Sequence, residues 1–183
     1  MGETSKAKER RTKEGWFEKY APAGAKGIDI GCQEDPIHEG YRKWDLILGD
    51  SDATEMLGIP DNEYDIVYSS HILEHLDDPV TGVKNWYRIV APGGNLVILV
   101  PHKLLYERKE KPPSNWNVEH KTFWLPETEE PPFTRSFKGT ILEAIPNANI
   151  ISFRILDIGY DYSIPPLQHA VGEYSIEAIV KKP

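Results

Sequence analysis

The chain has 183 residues, 39% of them hydrophobic and 27% charged, with a formal net charge of -8; one domain with a sizeable core suits that length, and the acidic balance disfavours a phosphate-backbone partner. The lone Cys32 excludes an intramolecular disulfide and fits a reducing compartment. The longest apolar run, Leu96–Val100, is strand-sized rather than bilayer-sized, and Met1–Lys13 is charged where a secretion signal would be apolar, so a cytoplasmic protein without membrane contact is expected.

In chain order, Thr4 to Tyr20 is predicted helical, with Trp16, Phe17 and Tyr20 docking its end. Lys6, Lys8, Arg10, Arg11 and Lys13 read as the solvated face of that helix. Ala21-Pro22-Ala23-Gly24 breaks it, and Lys26–Ile30 forms a short strand running into Gly31. Tyr41–Asp45 and Tyr64–Ser69 are the next two strands, the latter rich in β-favouring Ile66, Val67 and Tyr68. Asp78 can cap a helix whose first residue is Pro79, with Val80, Val83, Tyr87 and Val90 on its buried face. Ala91-Pro92-Gly93-Gly94 ends that helix. The unalternating Leu96–Val100 strand then predicts a sheet covered on both sides, as parallel sheets are.

From His102 to Phe137 the chain concentrates five prolines with Trp116, Phe123 and Trp124, a composition too aromatic for a linker and too proline-rich for regular structure. A short helix over Phe137–Ile145 and two closing strands, Ile150–Ile158 and Tyr174–Val180, complete the reading. A single domain follows: an N-terminal helix (1–21), a core (26–101), an insert (102–137) and a closing segment (138–183).

Chemistry collects at the predicted strand ends. In an open α/β sheet, ligands bind beyond the carboxyl ends of the strands. Asp29 can hold the first turn or accept from an ammonium group, and Gly31 lets a ligand approach backbone without a Cβ in the way. Asp45, sixteen positions on, can accept from both hydroxyls of a ribose. Asp52-Ala53 can meet an adenine amino group, and Ser69-Ser70-His71 leaves the third strand at the same edge. Any one of these acids alone reads as an ordinary loop cap; their recurrence after successive strands points to a nucleoside site.

The segments Gly27-Ile-Asp-Ile-Gly-Cys32, Gly49-Asp-Ser-Asp-Ala-Thr54, Glu63-Tyr-Asp-Ile-Val-Tyr-Ser-Ser-His-Ile-Leu-Glu-His-Leu76 and Tyr87-Arg-Ile-Val-Ala-Pro-Gly-Gly94 carry a resemblance over Lys26–Pro101. That stretch resembles the class I S-adenosylmethionine-dependent methyltransferases, especially small enzymes of sugar and metabolite methylation. The resemblance implies an α/β fold, a trimmed Rossmann-like, mostly parallel sheet with helices on both faces and a C-terminal antiparallel strand. It implies S-adenosylmethionine as cofactor, with Asp29, Gly31 and Cys32 beside the methionine part, Asp45 at the ribose, Asp52 and Ala53 at the adenine, and Leu46, Ser69 and Ser70 as further cofactor contacts. Two departures stand out: Gln33 and Asp35 occupy positions where the family has glycine, and the short spacing from Asp29 through Asp45 to Asp52 leaves little room for helices.

Methyl transfer is an in-line displacement, so the protein mostly positions and desolvates, and a histidine base helps a hydroxyl acceptor. His71 and His102 are the catalytic candidates, and His71, Tyr106, His120 and Trp124 are the candidate acceptor contacts. His75 reads as structural. The acceptor is expected to be a small polar molecule methylated on oxygen; neither metal nor nucleic acid is expected. A non-catalytic protein retaining the fold is the alternative, motivated by Gln33 and Asp35. A nicotinamide-dependent oxidoreductase fits poorly, because its phosphate turn needs several glycines at a helix N-terminus.

Overall fold

A computed structural model describes residues 3–21 and 23–183. Pro22 of the proposed break and the side chain of Lys6 lie outside the described residues. The helical start is two helices, α1 (Glu3–Lys13) and α2 (Trp16–Tyr20), parted at Gly15, whose φ of 62° places it in the left-handed region. Strands β1 (Gly27–Ile30), β2 (Arg42–Trp44) and β3 (Tyr64–Ser70) precede helix α3 (Pro79–Ile89) and the long strand β4 (Val90–Pro101). Helix α4 (Phe137–Ala144) and strands β7 (Asn149–Leu156) and β8 (Ser175–Lys181) close the chain. The main sheet has the order β2-β1-β3-β4-β8-β7. Strands β1 to β4 pair in parallel, and β8 runs antiparallel to both β4 and β7.

Local sequence explains α3 directly. The Asp78 carboxylate accepts from the Thr81 amide at 3.0 Å, and Pro79 occupies the first turn. Its buried face is centred on Val83, Trp86 and Ile89, not on Val80 and Tyr87, which are only half-buried. The expected stripe passed over Trp86, which buries a large ring and whose indole donates to the Ala53 carbonyl at 2.8 Å. The residues Ala91 to Gly94 do not form a break between helix and strand. They belong to β4, with Gly93 at a φ of 76°.

Two apolar layers cover the sheet. On one side, α3 and α4 pack Trp86, Ile89, Phe137 and Ile141 against Ile28, Ile30, Val67, Ile98 and Ala178. On the other, α1 and α2 bring Ala7 and Trp16 to Tyr68, Val97, Leu99 and Ile179. Helix α1 does not present all its basic residues to solvent. Arg10 and Arg11 are buried, because a helix with almost no apolar side chains docks through its guanidinium groups.

The insert contains regular structure despite its prolines: a π-helical turn (Lys103–Glu107) and two short parallel strands, β5 (Phe123–Leu125) and β6 (Thr134–Ser136). Trp124 is wholly buried in the main core, edge-on to Phe137 with ring centroids 5.9 Å apart. The described residues form no α-helix between β1 and β2 or between β2 and β3, and a 3-10 turn (Leu46–Leu48) is the regular element of the second link. Among the described residues no helix is long and apolar enough to cross a membrane.

Candidate functional site

A cleft of about 620 Å³ opens at the carboxyl edge of β1, β2 and β3. Gly31, Gln33, Asp45, Leu46, Asp52, Ala53, Ser70, His71 and His75 line it, with Asn117, Glu119 and Lys121 of the insert as its far wall. Its size suits a ligand of nucleoside dimensions. The structure thus brings together seven of the residues read from the sequence: Gly31, Asp45, Leu46, Asp52, Ala53, Ser70 and His71.

Each acid on this wall is oriented by backbone. Asp45 caps the 3-10 turn by accepting from the Ile47 amide at 3.0 Å, and its other oxygen accepts from the Gln33 amide at 3.1 Å. Asp52 accepts from the Thr54 amide at 2.7 Å. A carboxylate offers about four lone-pair sites, so Asp45 retains acceptor capacity for a ribose diol. Gln33 adopts a φ of 52°, the left-handed conformation for which glycine is the usual residue. Gly31, at φ 80°, could not carry a side chain: an added Cβ would lie 2.0 Å from Ile72.

Asp29 and Cys32 stand behind this surface. The Asp29 carboxylate accepts from the Ile37 amide at 2.7 Å and thereby holds the turn, while burial pushes its pKa up to about 7. Burial, with Asp29 nearby, pushes the Cys32 thiol up to about 12, so it stays protonated. Ser69 is fully buried on β3, and its hydroxyl has no hydrogen-bond partner.

The histidines separate into three environments. His71 lies on the cleft wall at a φ of 58°, with Nε2 2.8 Å from the Ser175 hydroxyl and its ring stacked on Tyr174. His102 lies off the cleft: its Nδ1 accepts from the Leu104 amide at 3.1 Å, capping the π-helical turn, and burial lowers its pKa. His120, within the insert, is buried, its Nδ1 2.6 Å from Glu107 Oε1, with Tyr106 tilted against the ring. Tyr106 and Trp124 likewise do not line the cleft.

Sequence reasoning did not single out Asn117, Glu119 and Lys121 of the insert, or what lies beneath them. Asn117 and Glu119 belong to a turn closed by the His120 amide donating to the Asn117 carbonyl at 3.2 Å, and this turn carries no periodic signal. Glu74 is fully buried, and neither carboxylate oxygen has a hydrogen-bond partner. Burial pushes its pKa up to about 8. One ligand atom each from Glu74, His75 and His120 lies within 4.8 Å of the others.

The sheet order, the antiparallel β8 and a polar cleft at the parallel strand ends define the class I methyltransferase fold. Residues 25–98 match the family model described as a methyltransferase domain. An S-adenosylmethionine-dependent methyltransferase from Archaeoglobus fulgidus superposes with a TM-score of 0.55 at 18% identity, over 99% of this chain and 95% of that one. Another from Aquifex aeolicus gives 0.51 at 16% identity over 100% of both chains. In sequence, 84 residues are 27% identical to the highly reducing polyketide synthase rstn3 of Aspergillus nomiae, spanning 45% of this chain but only 3% of that protein. Residues 25–98 are thus similar to the methyltransferase domain family, and the chain shares its fold with S-adenosylmethionine-dependent methyltransferases.

Proposed function

We propose that the protein transfers a methyl group from S-adenosylmethionine to a hydroxyl of a small polar acceptor. The observation that carries this reading is the shared cleft: nucleoside-type acceptors Asp45 and Asp52 occupy one wall, and His71 the same cavity. The donor set fits the cofactor, since both acids keep free lone pairs and a cation is favoured among carboxylates. Asp45 would hold the ribose, Asp52 the adenine amino group, and the Gly31–Gln33 backbone the amino-acid end. When bound, the cofactor supplies an electrophilic methyl on a sulfonium. His71 can take the acceptor's hydroxyl proton at a ring nitrogen, with the Ser175 hydroxyl and the Tyr174 ring fixing the orientation of the imidazole. Water exclusion falls to Asn117, Glu119 and Lys121, which overhang the cleft. The net charge of -8 supports a small acceptor over nucleic acid.

Titration calorimetry with S-adenosylhomocysteine tests the cofactor half. Binding is expected, and Asp45→Asn should weaken it by about 1–3 kcal/mol through the lost charged acceptor. No heat with the folded wild-type protein would reject the reading. Incubation with the cofactor and a panel of polyols, followed by mass spectrometry, tests the acceptor half. Cofactor binding with no methylated product from any hydroxyl compound would favour a binding protein that keeps the fold.

A further inference from the structure

Beneath the far wall of the cleft, four titratable side chains converge from two parts of the chain. Glu74 and His75 come from the 3-10 turn after β3 (Leu73–His75), Glu107 from the π-helical turn, and His120 from the insert. Glu74 Oε1 lies 3.7 Å from His120 Nε2, beyond hydrogen-bonding reach, and the His75 and His120 rings meet edge-on with centroids 4.8 Å apart. Two fully buried carboxylates thus stand beside two imidazoles, and three of their four oxygens have no hydrogen-bond partner. Leaving a buried acceptor unsatisfied is costly, so a group missing from this arrangement is the economical explanation.

We propose that Glu74, His75 and His120 bind a divalent transition metal, with zinc the best match to the donor set. Two imidazoles and one carboxylate are the ligands of an open tetrahedral zinc site, in which the fourth position is left for water or substrate. Metal–ligand bonds of about 2.0–2.2 Å put tetrahedral ligand atoms about 3.3 Å apart. The Glu74–His120 pair, at 3.7 Å, needs to close by only a few tenths of an ångström. His75 is half-buried on the cleft wall, and its ligand atom lies within 4.8 Å of the other two.

The outer contacts match what a metal site requires. His120 presents Nε2 to Glu74 while Nδ1 is held by Glu107 at 2.6 Å. A histidine bound through one nitrogen and anchored through the other to a carboxylate has its tautomer and ring orientation fixed. Charge balances as well, because two carboxylates and two neutral imidazoles compensate a dication. The insert is already tied to the turn, since the Lys121 and Thr122 amides both donate to the Glu74 carbonyl, at 2.8 Å and 3.2 Å. A cation here would clamp the insert over the cleft, its open position on the His75 side. Metal binding is independent of methyl transfer, so the two readings can fail separately.

The test uses the full chain, stripped with chelator and titrated with Zn2+ by calorimetry, with Co2+ as a spectroscopic probe. Binding of one equivalent is expected, with the ligand-field absorption of a four-coordinate Co2+ centre. Glu74→Gln and His120→Gln should abolish saturable binding, and Glu107→Gln should weaken it about 10–100-fold. His38→Gln, outside the cluster, should leave it unchanged. Circular dichroism confirms that each variant is folded; if a ligand variant is not, the Co2+ spectrum of the wild type and the Glu107→Gln titration still decide. No saturable binding by the wild type, an octahedral Co2+ spectrum typical of a surface site, or undiminished binding by folded Glu74→Gln or Glu107→Gln would overturn the assignment.

Discussion

On the α3/α4 side, the sheet presents Ile28, Ile30, Val67, Ile98, Ile176 and Ala178, and the helices answer with Trp86, Phe137 and Ile141. On the α1 side, the same strands present Asp29, Tyr68 and Glu177, and the helix answers with Arg11. There the Arg11 guanidinium lies 4.0 Å from the Trp16 ring centroid and 5.1 Å from that of Tyr68. Arg11 donates to Glu177 Oε2 at 2.6 Å, while Arg154 donates to the other oxygen at 2.9 Å. The hydrocarbon face needs only volume and periodicity, and it tolerates exchange among similar side chains. The charged face needs particular partners, because each ion was desolvated on folding and is repaid only by good geometry. Apolar burial alone could not have docked α1, whose described residues contribute only Ala7 to the apolar core.

Breaking the charged face should have the largest effect. Arg11→Met keeps the volume but leaves the fully buried Glu177 with Arg154 as its remaining partner, so unfolding free energy should fall by about 3 kcal/mol. Urea denaturation near neutral pH measures this, and adding Glu177→Gln should recover most of the loss. A single-variant loss under about 1 kcal/mol would show that the two faces do not differ as argued.

Asp29 sharpens the contrast through pH. Its folded-state pKa of about 7 lies above the ordinary carboxylate value, so the folded protein holds a proton that the unfolded chain releases. Its favourable contribution is complete below about pH 4 and disappears as pH rises toward 7. Asp29→Asn can still accept from the Ile37 amide but has no proton to lose. The variant should therefore gain about 2 kcal/mol relative to wild type between pH 5 and pH 8. Parallel stability profiles over that range would contradict a protonated Asp29.

The smallest effect belongs to the hydrocarbon face. Ile98→Val removes one methylene from a fully buried site on β4 and should cost about 0.5–1.5 kcal/mol, independent of pH. A pH-dependent loss there would mean that the two faces are coupled through the sheet.

How legible the molecule was in its sequence follows from the range of each interaction. Strand β1 with its glycine turn, the Asp78-Pro79 start of α3 and the Leu96–Val100 strand rest on neighbours a few residues apart, and each was readable. The cleft's near wall was readable for the same reason: Gly31, Asp45, Asp52 and Ser70 each follow a strand or its connecting turn. Trp124 was read as an acceptor contact but lies in the core, because the β5–β6 pairing that turns it inward joins strands with no periodic signal. His102 was read at the cleft edge, but its ring nitrogen is bonded into the π-helical turn that follows. The cluster of Glu74, His75, Glu107 and His120 was not legible, since it forms only when the insert folds back over the turn after β3.

The sequence by itself determined the parallel α/β core, the strand-end placement of Gly31, Asp45 and Asp52, and the capped start of α3. All of these depend on periodicity and on turn and capping chemistry that neighbouring residues supply. Only the tertiary structure decided that Arg11 is buried, that burial raises the Asp29 pKa, and that His120 sits against Glu74. Arg11 finds Glu177 across 166 residues of chain, and His120 meets Glu74 only after the insert has folded back. The burial of a charge depends on the partner waiting for it, and a partner so distant in the chain leaves no mark on the local pattern.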